Sequence, residues 1–551
     1  MEKSTKKIIG KVSATENSPT SSEKFSFWLT STVSINPFDI VEASHQDGST
    51  TYGLIANLEH STDAPSHLAN YISNNFGDLS GPPNTPRQGT TIAKVNVMKN
   101  SNDLYMPLRS ESLVSFADGK GIEVALGIDT MAEEDRIPAG LIELSNDTKA
   151  TTFIDKRFTI GPESAHINIS GISGLATKTS YAMFIIQSML QRLDPKEVAV
   201  VLLNVKHGDL LHIDEPNDKL TEEDRQLWKS LKLDCKPFEH AHYYLPRKYD
   251  GYGPNSQDPP DDYKIYAYEL KDVADKLDLL FSNIPDTYST IESLIGEISN
   301  GLQELREGRG GKVWEKVHDW DSLLNGPPLV DEGGKSQKFG DVATSSVGRF
   351  RRQLRRIVKT RQTGIFVSNR SRSEYVIGDE LYKDVEGGHT FVVDIALLND
   401  EEQTLVFGDV IKTIYTLFSE GGEGRQKELP KKVLIFVDEL NKFAPAREKS
   451  SAIIEQILDI SERGRSLGLI LISAQQFLSA VHPRVTGNAA TLVFGRSGSQ
   501  EISSANYRFL DEDLKLALTR LGKGELIIQH PIYRQPVKIK FPKPAYRQQR
   551  S

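Results

Sequence analysis

The sequence predicts an α/β protein in three parts: a β-rich N-terminal module, a doubly wound α/β core, and a largely helical insertion within that core. Three changes of texture carry this reading. From about residue 8 to 160, the short runs "KIIGKV", "FSFWL", "DIVEA", "TYGLIANL", "TIAKVNVM" and "IEVALGI" often alternate apolar and polar residues and are separated by Gly, Asp, Asn and Ser turns. From about 165 the runs are continuously apolar, in "HINISG", "EVAVVLLNV", "HTFVVDIALL", "KVLIFVDEL", "LGLILISA" and "ATLVFGR", as a sheet covered on both faces requires. Between 210 and 360 that rhythm is lost.

Each part follows from its pattern. A small closed barrel removes the edges of short alternating strands, so residues 1–160 are expected to form one, ending near "RFTIGPESA". Helical segments at 178–193, 402–419 and 451–464 lie between the apolar runs, which is the order of a doubly wound domain over 161–209 and 361–535. The stretch 210–360 places polar loops such as "DGYGPNSQDPPDDYK" around the helical runs "ELKDVADKLDLLF" and "STIESLIGEISNGLQELREG". The strands "GELIIQHP" and "QPVKIKF" close the chain, with a basic tail over 536–551 that either reaches a neighbouring subunit or frays.

Composition narrows the class. A chain of 551 residues exceeds a single core and suggests about three or four domains. With 38% hydrophobic and 26% charged residues it is expected to be globular rather than disordered. One cysteine, Cys235, rules out an internal disulfide framework and a Cys-rich zinc site, which fits a reducing cytoplasm. The N-terminus lacks an apolar signal region and no segment approaches the ~20 apolar residues that span a bilayer, so neither export nor membrane insertion is expected. A net charge of -9 argues against a surface that binds polyanions everywhere, while leaving room for a basic channel inside an acidic shell.

The stretch "HINISGISGLATKTSYAMFIIQSML", residues 166–190, passes from a buried strand through Gly171 and Gly174 to Lys178, Thr179 and Ser180 at the start of an apolar helix. This is the layout of a phosphate-binding P-loop, G-x-x-x-x-G-K-[ST]. Such a loop works because backbone N–H groups close around phosphate oxygens at a helix N-terminus, lysine adds positive charge, and the hydroxyl behind it holds Mg²⁺. Here Thr177 stands where the second glycine belongs, and one extra residue separates Gly171 from Lys178. Threonine restricts the positive-φ conformations open to glycine, so the loop closes differently. Alone, the stretch fits a plain strand-turn-helix equally well.

Three further strands end in polar groups. "KKVLIFVDELNKFAP" ends in Asp438 and Glu439, one carboxylate for Mg²⁺ and one to polarise a water against a γ-phosphate; alone it also fits a strand entering a capped helix. "SERGRSLGLILISAQQ" delivers Gln475 to the carboxyl edge of the sheet, where ligands bind in such folds. Gln475 reads either as a γ-phosphate sensor or as a hydrogen-bonded sheet-end glutamine. Arg463 and Arg465 just before it read as arginine fingers for a neighbour's site or as surface ion pairs. "VVLLNVKHGDLLHID" brings Lys206, His207 and Asp209 to the same edge; with no second His or Cys at useful spacing, His207 reads as a loop contact rather than a metal ligand. The basic run "GRFRRQLRRIVKTRQ" holds Arg349, Arg351, Arg352, Arg355, Arg356, Lys359 and Arg361, which suit either a phosphate-tracking surface or contact with the acidic remainder of the protein.

Together these elements resemble the HerA branch of the FtsK–HerA superfamily of hexameric, ATP-driven DNA-pumping motors. The opening "IIGKV … INPFDIVEA … TYGLIANL" is similar to that family's HAS barrel, "HINISGISGLATKTS" to its Walker A strand and loop, and "VLLNVKHGDL" to the strand and turn after the first helix. "VLIFVDELNKFAP" is similar to its Walker B, "RGRSLGLILISAQQ" to its arginine helix and glutamine strand, and "LGKGELIIQHP" to its terminal strands. The resemblance implies a RecA-like P-loop ATPase core with an N-terminal HAS barrel. In that core Lys178 and Thr179 bind phosphates and Mg²⁺ within a loop formed by Gly171, Gly174, Thr177 and Ser180. Asp438 holds the metal with Thr179, Glu439 activates water, Gln475 senses the γ-phosphate, and Arg463 or Arg465 reaches into the next subunit. Departures from the family pattern are Thr177, the longer loop, and Asn204 where relatives carry Asp.

The same resemblance implies a homo-hexamer that moves duplex DNA, with Arg484 in "HPRVTG" and Arg352 and Arg356 in the basic run as candidate contacts. No nuclease constellation is evident outside the core, so a separate partner is expected: a nuclease, or in prokaryotic antiviral systems another effector such as a sirtuin-like NAD hydrolase, docking on the HAS-barrel face. The variant P-loop favours the antiviral setting by analogy. A competing class is an assembly protein whose ring uses nucleotide to hold its shape and activate an effector. A secretion or conjugation ATPase is a third reading, disfavoured by the barrel and by the absence of a membrane segment.

Overall fold

A computed structural model describes residues 6–172, 178–206, 208–282, 290–306, 316–325, 338–339, 342–359, 364–447 and 451–548. Residues 1–156 with 491–541 form one compact unit, and residues 157–490 with 542–551 form a second.

In the first unit a closed barrel runs in the order β1-β2-β5-β4-β3-β6: β1 Ile8–Ser13, β2 Lys24–Leu29, β3 Ile40–Ser44, β4 Thr50–Thr62, β5 Gly89–Asn100 and β6 Leu113–Phe116. β6 closes it by pairing antiparallel with both β1 and β3. Burial alternates along β2, with Phe25, Phe27 and Leu29 inward, as the two-residue period of a strand demands. One expected strand is a helix. Within "IEVALGI", residues up to Ala125 belong to the helix Gly119–Ala125, whose N-cap Asp118 accepts the Gly121 N–H at 2.7 Å. Ile122, Ala125 and Leu126 are buried at helical spacing, so a run too short to show its period was misread.

The same unit holds an antiparallel run in the order β19-β20-β21-β7-β8, built from β7 Arg136–Glu143, β8 Lys149–Asp155, β19 Thr491–Phe494, β20 Glu525–Gln529 and β21 Val537–Lys540. Two results differ from the boundaries expected above: β7 and β8 lie outside the barrel, and residues 491–541 group with the N-terminal unit rather than with the core.

The second unit is built on a parallel sheet in the order β15-β12-β11-β16-β10-β17-β18-β9. Its strands are β9 Ile167–Ser170, β10 Val198–Asn204, β11 Ala241–Pro246, β12 Lys264–Tyr266, β15 Glu374–Tyr375, β16 Thr390–Asp394, β17 Lys432–Asp438 and β18 Leu469–Gln475; a small hairpin of β13 Lys338–Phe339 and β14 Val342–Ala343 stands apart. Every residue of β10, β16 and β18 is buried, which explains their unbroken apolar sequence. β18 lies between β9 and β17, the RecA-like arrangement in which the loop strand and the acidic strand are not neighbours. All three expected core helices form, as Lys178–Leu190, Asp400–Ser419 and Ala452–Leu467. Asn399 and Glu402 form a capping box at the start of the second. The third ends at Gly468, φ 86°, where an added Cβ would lie 2.2 Å from the Lys431 carbonyl oxygen.

Among the described residues the insertion holds strands as well as helices. β11 and β12, with their Tyr and His residues, join the main sheet from within 210–360. The run "ELKDVADKLDLLF" forms a short 3-10 helix, Leu270–Val273, and the α-helix Leu277–Phe281; Thr290–Arg306 is a helix as expected, and Thr344–Val358 is a further one. Among the described residues no helix is long and apolar enough to cross a membrane.

Residues 542–548 fold back on their own unit. The Trp228 indole N–H donates to the Lys543 carbonyl at 2.9 Å, Arg547 pairs with Glu215 at 2.6 Å, and Tyr546 is fully buried. Truncating a buried aromatic costs about 3 kcal/mol or more. Tyr546→Ala is therefore expected to lower the unfolding free energy of the second unit by about that amount, read as a lower denaturant midpoint; an unchanged midpoint would show that the tail does not pack there.

Candidate functional site

The carboxyl edge of the parallel sheet gathers the polar strand ends. β9 enters the site held by His166, whose Nδ1 accepts the Leu471 N–H of β18 at 2.9 Å. At its other end Gly171, φ 154°, donates its N–H to the Gln475 carbonyl at 3.2 Å. Gly174 and Thr177 lie outside the described residues, as does His207. Lys178, Thr179 and Ser180 open the helix that follows.

Here two distant motifs meet. Thr179 donates its hydroxyl to Asp438 Oδ2 at 3.1 Å. Lys178 is only 7% exposed; its Nζ stands 3.6 Å from Glu439 Oε1 and has no hydrogen-bond acceptor among the described residues. Burial lowers the Lys178 pKa, with the charges of Asp438 and Glu439 opposing that shift. Burial raises the Asp438 carboxyl, with Lys178 opposing. Each group is thus pushed toward its neutral form by lost solvent and toward its charged form by the other. Asp438 Oδ1 also accepts the Glu439 N–H at 2.8 Å.

Glu439 adopts the left-handed conformation, φ 53° and ψ 47°, which a non-glycine residue keeps only where its surroundings enforce it. Its carboxylate touches the Lys206 ammonium. The sequence placed Lys206 at this edge without a role; the signal was its position two residues past β10, whose Leu203 registers with Val437 of β17. Asn204 turns the other way and donates to Asp394 Oδ1 at 2.8 Å, while Ser256 donates to Asp394 Oδ2 at 2.7 Å.

The remaining predicted residues are placed as follows. The Gln475 amide is fully buried and paired with Asn168 of β9, donating to Oδ1 at 2.7 Å, while its backbone carbonyl accepts the Gly171 N–H. Ser180 accepts a hydrogen bond from Gln548 at 3.3 Å. Arg463 has a 71% exposed side chain with Asp459 at 3.4 Å, whereas Arg465 donates to the Glu163 carbonyl of its own chain. Arg484 makes a two-pronged bond to Glu462 at 2.7 and 2.8 Å. On the helix Thr344–Val358, Val347, Phe350, Leu354 and Ile357 form the buried stripe, which leaves most of the arginines facing solvent. Arg356 bonds Glu401 at 2.9 Å, and Arg352 is exposed without an ion pair among the described residues.

No family model matches this chain, and no curated protein matches it. Among solved structures the chain is similar to the bacterial conjugative coupling protein TrwBdeltaN70, at 11% identity and a TM-score of 0.41, over 70% of this chain and 88% of that one. It is similar to the genome packaging NTPase B204 from Sulfolobus turreted icosahedral virus 2, in complex with AMP, at 16% identity and 0.23, over 30% and 72%. EssC (ATPases 2 and 3) from Geobacillus thermodenitrificans is similar at 12% and 0.29, over 75% of this chain and 46% of EssC. All three scores are below 0.5, so the chemistry of the site is read from its own residues.

Asp394 supplies a test of this edge. Burial raises its carboxyl above the ordinary value of 3.8, against hydrogen bonds from Ser256, Ala396 and Asn204 that favour the charged form. An acid raised on folding keeps its proton longer in the native state, so stability falls as pH rises from about 3.8 through the native value. Asp394→Asn lacks that loss. It is expected to be more stable than the parent at pH 7–8, with the difference shrinking below pH 4, in denaturant midpoints measured across pH.

Proposed function

We propose that this chain is a ring-forming, ATP-hydrolysing translocase of duplex DNA, of the HerA type, working with a separate nuclease or other effector, in antiphage defence. The observation that carries this reading is the meeting of Lys178, Thr179, Asp438 and Glu439 at one sheet edge, with Thr179 259 residues before Asp438 along the chain. A buried ammonium with no hydrogen-bond acceptor among the described residues suits an incoming phosphate. A hydroxyl against a carboxylate is an oxygen donor set suited to Mg²⁺, so the residues present fit both ATP and its metal.

Lys178 balances the charge of the terminal phosphates, and Thr179 with Asp438 holds Mg²⁺. When bound, that ion neutralises charge on the phosphate oxygens. Glu439 orients a water and accepts its proton. Arg463 is the better candidate for a neighbour's site, because its side chain is exposed while Arg465 is tied to Glu163. A residue supplied to the next subunit implies a head-to-tail contact, which closes as a ring; six subunits follow the family resemblance, and a cytoplasmic location fits the single cysteine. Arg352 and Arg356 offer exposed charge for backbone phosphates, and Arg484 joins them only by leaving Glu462. The effector, nuclease or sirtuin-like, is assigned to the barrel face. A second reading, a nucleotide-dependent scaffold with little DNA movement, is favoured by the Glu439 carboxylate being held by Lys206 in this structure.

The test is ATP turnover by the purified chain, with and without linear duplex DNA. DNA-stimulated turnover that falls on the order of 100-fold in Lys178→Ala and in Glu439→Gln is the expected result. ATP binding without turnover under either condition would favour the scaffold.

A further inference from the structure

We infer that Lys206 is a positioning residue that restrains Glu439: its ammonium occupies the carboxylate in the nucleotide-free protein and releases it when a terminal phosphate arrives. This rests on the nucleotide reading of the site. Two cations converge on one oxygen of Glu439. Lys206 contacts Glu439 Oε1, and Lys178 Nζ lies 3.6 Å from the same atom. Both ammonium groups stand at the same carboxylate oxygen, so a water that approaches Glu439 Oε1 has to displace Lys206.

The asymmetry between the two lysines gives the release its direction. Lys178 is 7% exposed and lacks a hydrogen-bond acceptor among the described residues, so a terminal phosphate, with more negative charge than a carboxylate, draws it away from Glu439. Lys206 is 41% exposed on a flexible four-carbon stem, and a half-exposed ion pair is weak enough to exchange. Glu439 itself is only 12% exposed and starts from a left-handed backbone, so it stays in place while the lysines move. Lys206 therefore competes with the attacking water for the same carboxylate in each turnover.

Two measurements on the full chain test this. Lys206→Met is expected to raise DNA-independent ATP turnover about fivefold, the share a half-exposed pair can account for, while Lys206→Arg keeps the parent rate. An unchanged or lower rate in Lys206→Met, with the parent active, would overturn the restraint and leave the nucleotide reading intact. The second readout does not need turnover: acetylation of Lys206 by an amine-reactive reagent, followed by mass spectrometry. Labelling several-fold faster in Glu439→Gln, and in the parent saturated with Mg²⁺ and ATPγS, is expected. Unchanged labelling in both would overturn the ion pair as a restraint, whereas faster labelling in a chain without turnover would support it while counting against the motor.

Discussion

The hydrogen bond from Thr179 to Asp438 is the contact on which the candidate site depends, and it exists because the sheet is parallel. In a parallel sheet every strand delivers its carboxyl end to one edge. β9, β18, β17 and β10 therefore present Gly171, Gln475, Asp438 and Asn204 side by side, although they come from four separate stretches of chain. Burial does the rest. With β10 and β18 wholly buried and β17 buried over its central residues, the strand ends are where the first polar side chains can emerge.

The same burial makes the edge electrostatically tense. Lys178 and Asp438 are each pushed toward neutrality by lost solvent and held charged by nearby opposite charge, and Lys206 adds a second cation next to Glu439. A short-range balance of this kind responds strongly to one added multivalent anion, because water screens the buried Lys178 and Asp438 only weakly. Gln475 and Asn168 form a satisfied amide pair behind the edge. That pair ties β9 to β18 and so holds the start of the loop against the sheet.

Much of this was legible in the sequence, for physical reasons that can be named. Strands buried on both faces carry unbroken apolar runs, so β10, β16, β17 and β18 were visible, as were the long amphipathic and buried helices. Short elements were harder: "IEVALGI" has too few residues to distinguish a helical from a strand period, and β11 and β12 are brief Tyr-containing strands set among polar loops. In the site, Lys178, Thr179, Asp438 and Glu439 were recognisable because spacing along one segment identifies each pair. The partners of Gln475, Arg484 and Glu439 were not, because Asn168, Glu462 and Lys206 come from other segments and only the register of the sheet or the packing of helices brings them together.

The most direct measurement is calorimetric binding of ATPγS to the full chain, with and without Mg²⁺, for the parent and for Lys178→Ala. If these residues form one nucleotide site, the parent binds one ATPγS per chain more tightly with Mg²⁺, and Lys178→Ala abolishes or severely weakens that binding. Absence of binding, or binding that ignores both Mg²⁺ and the loss of Lys178, would contradict the account.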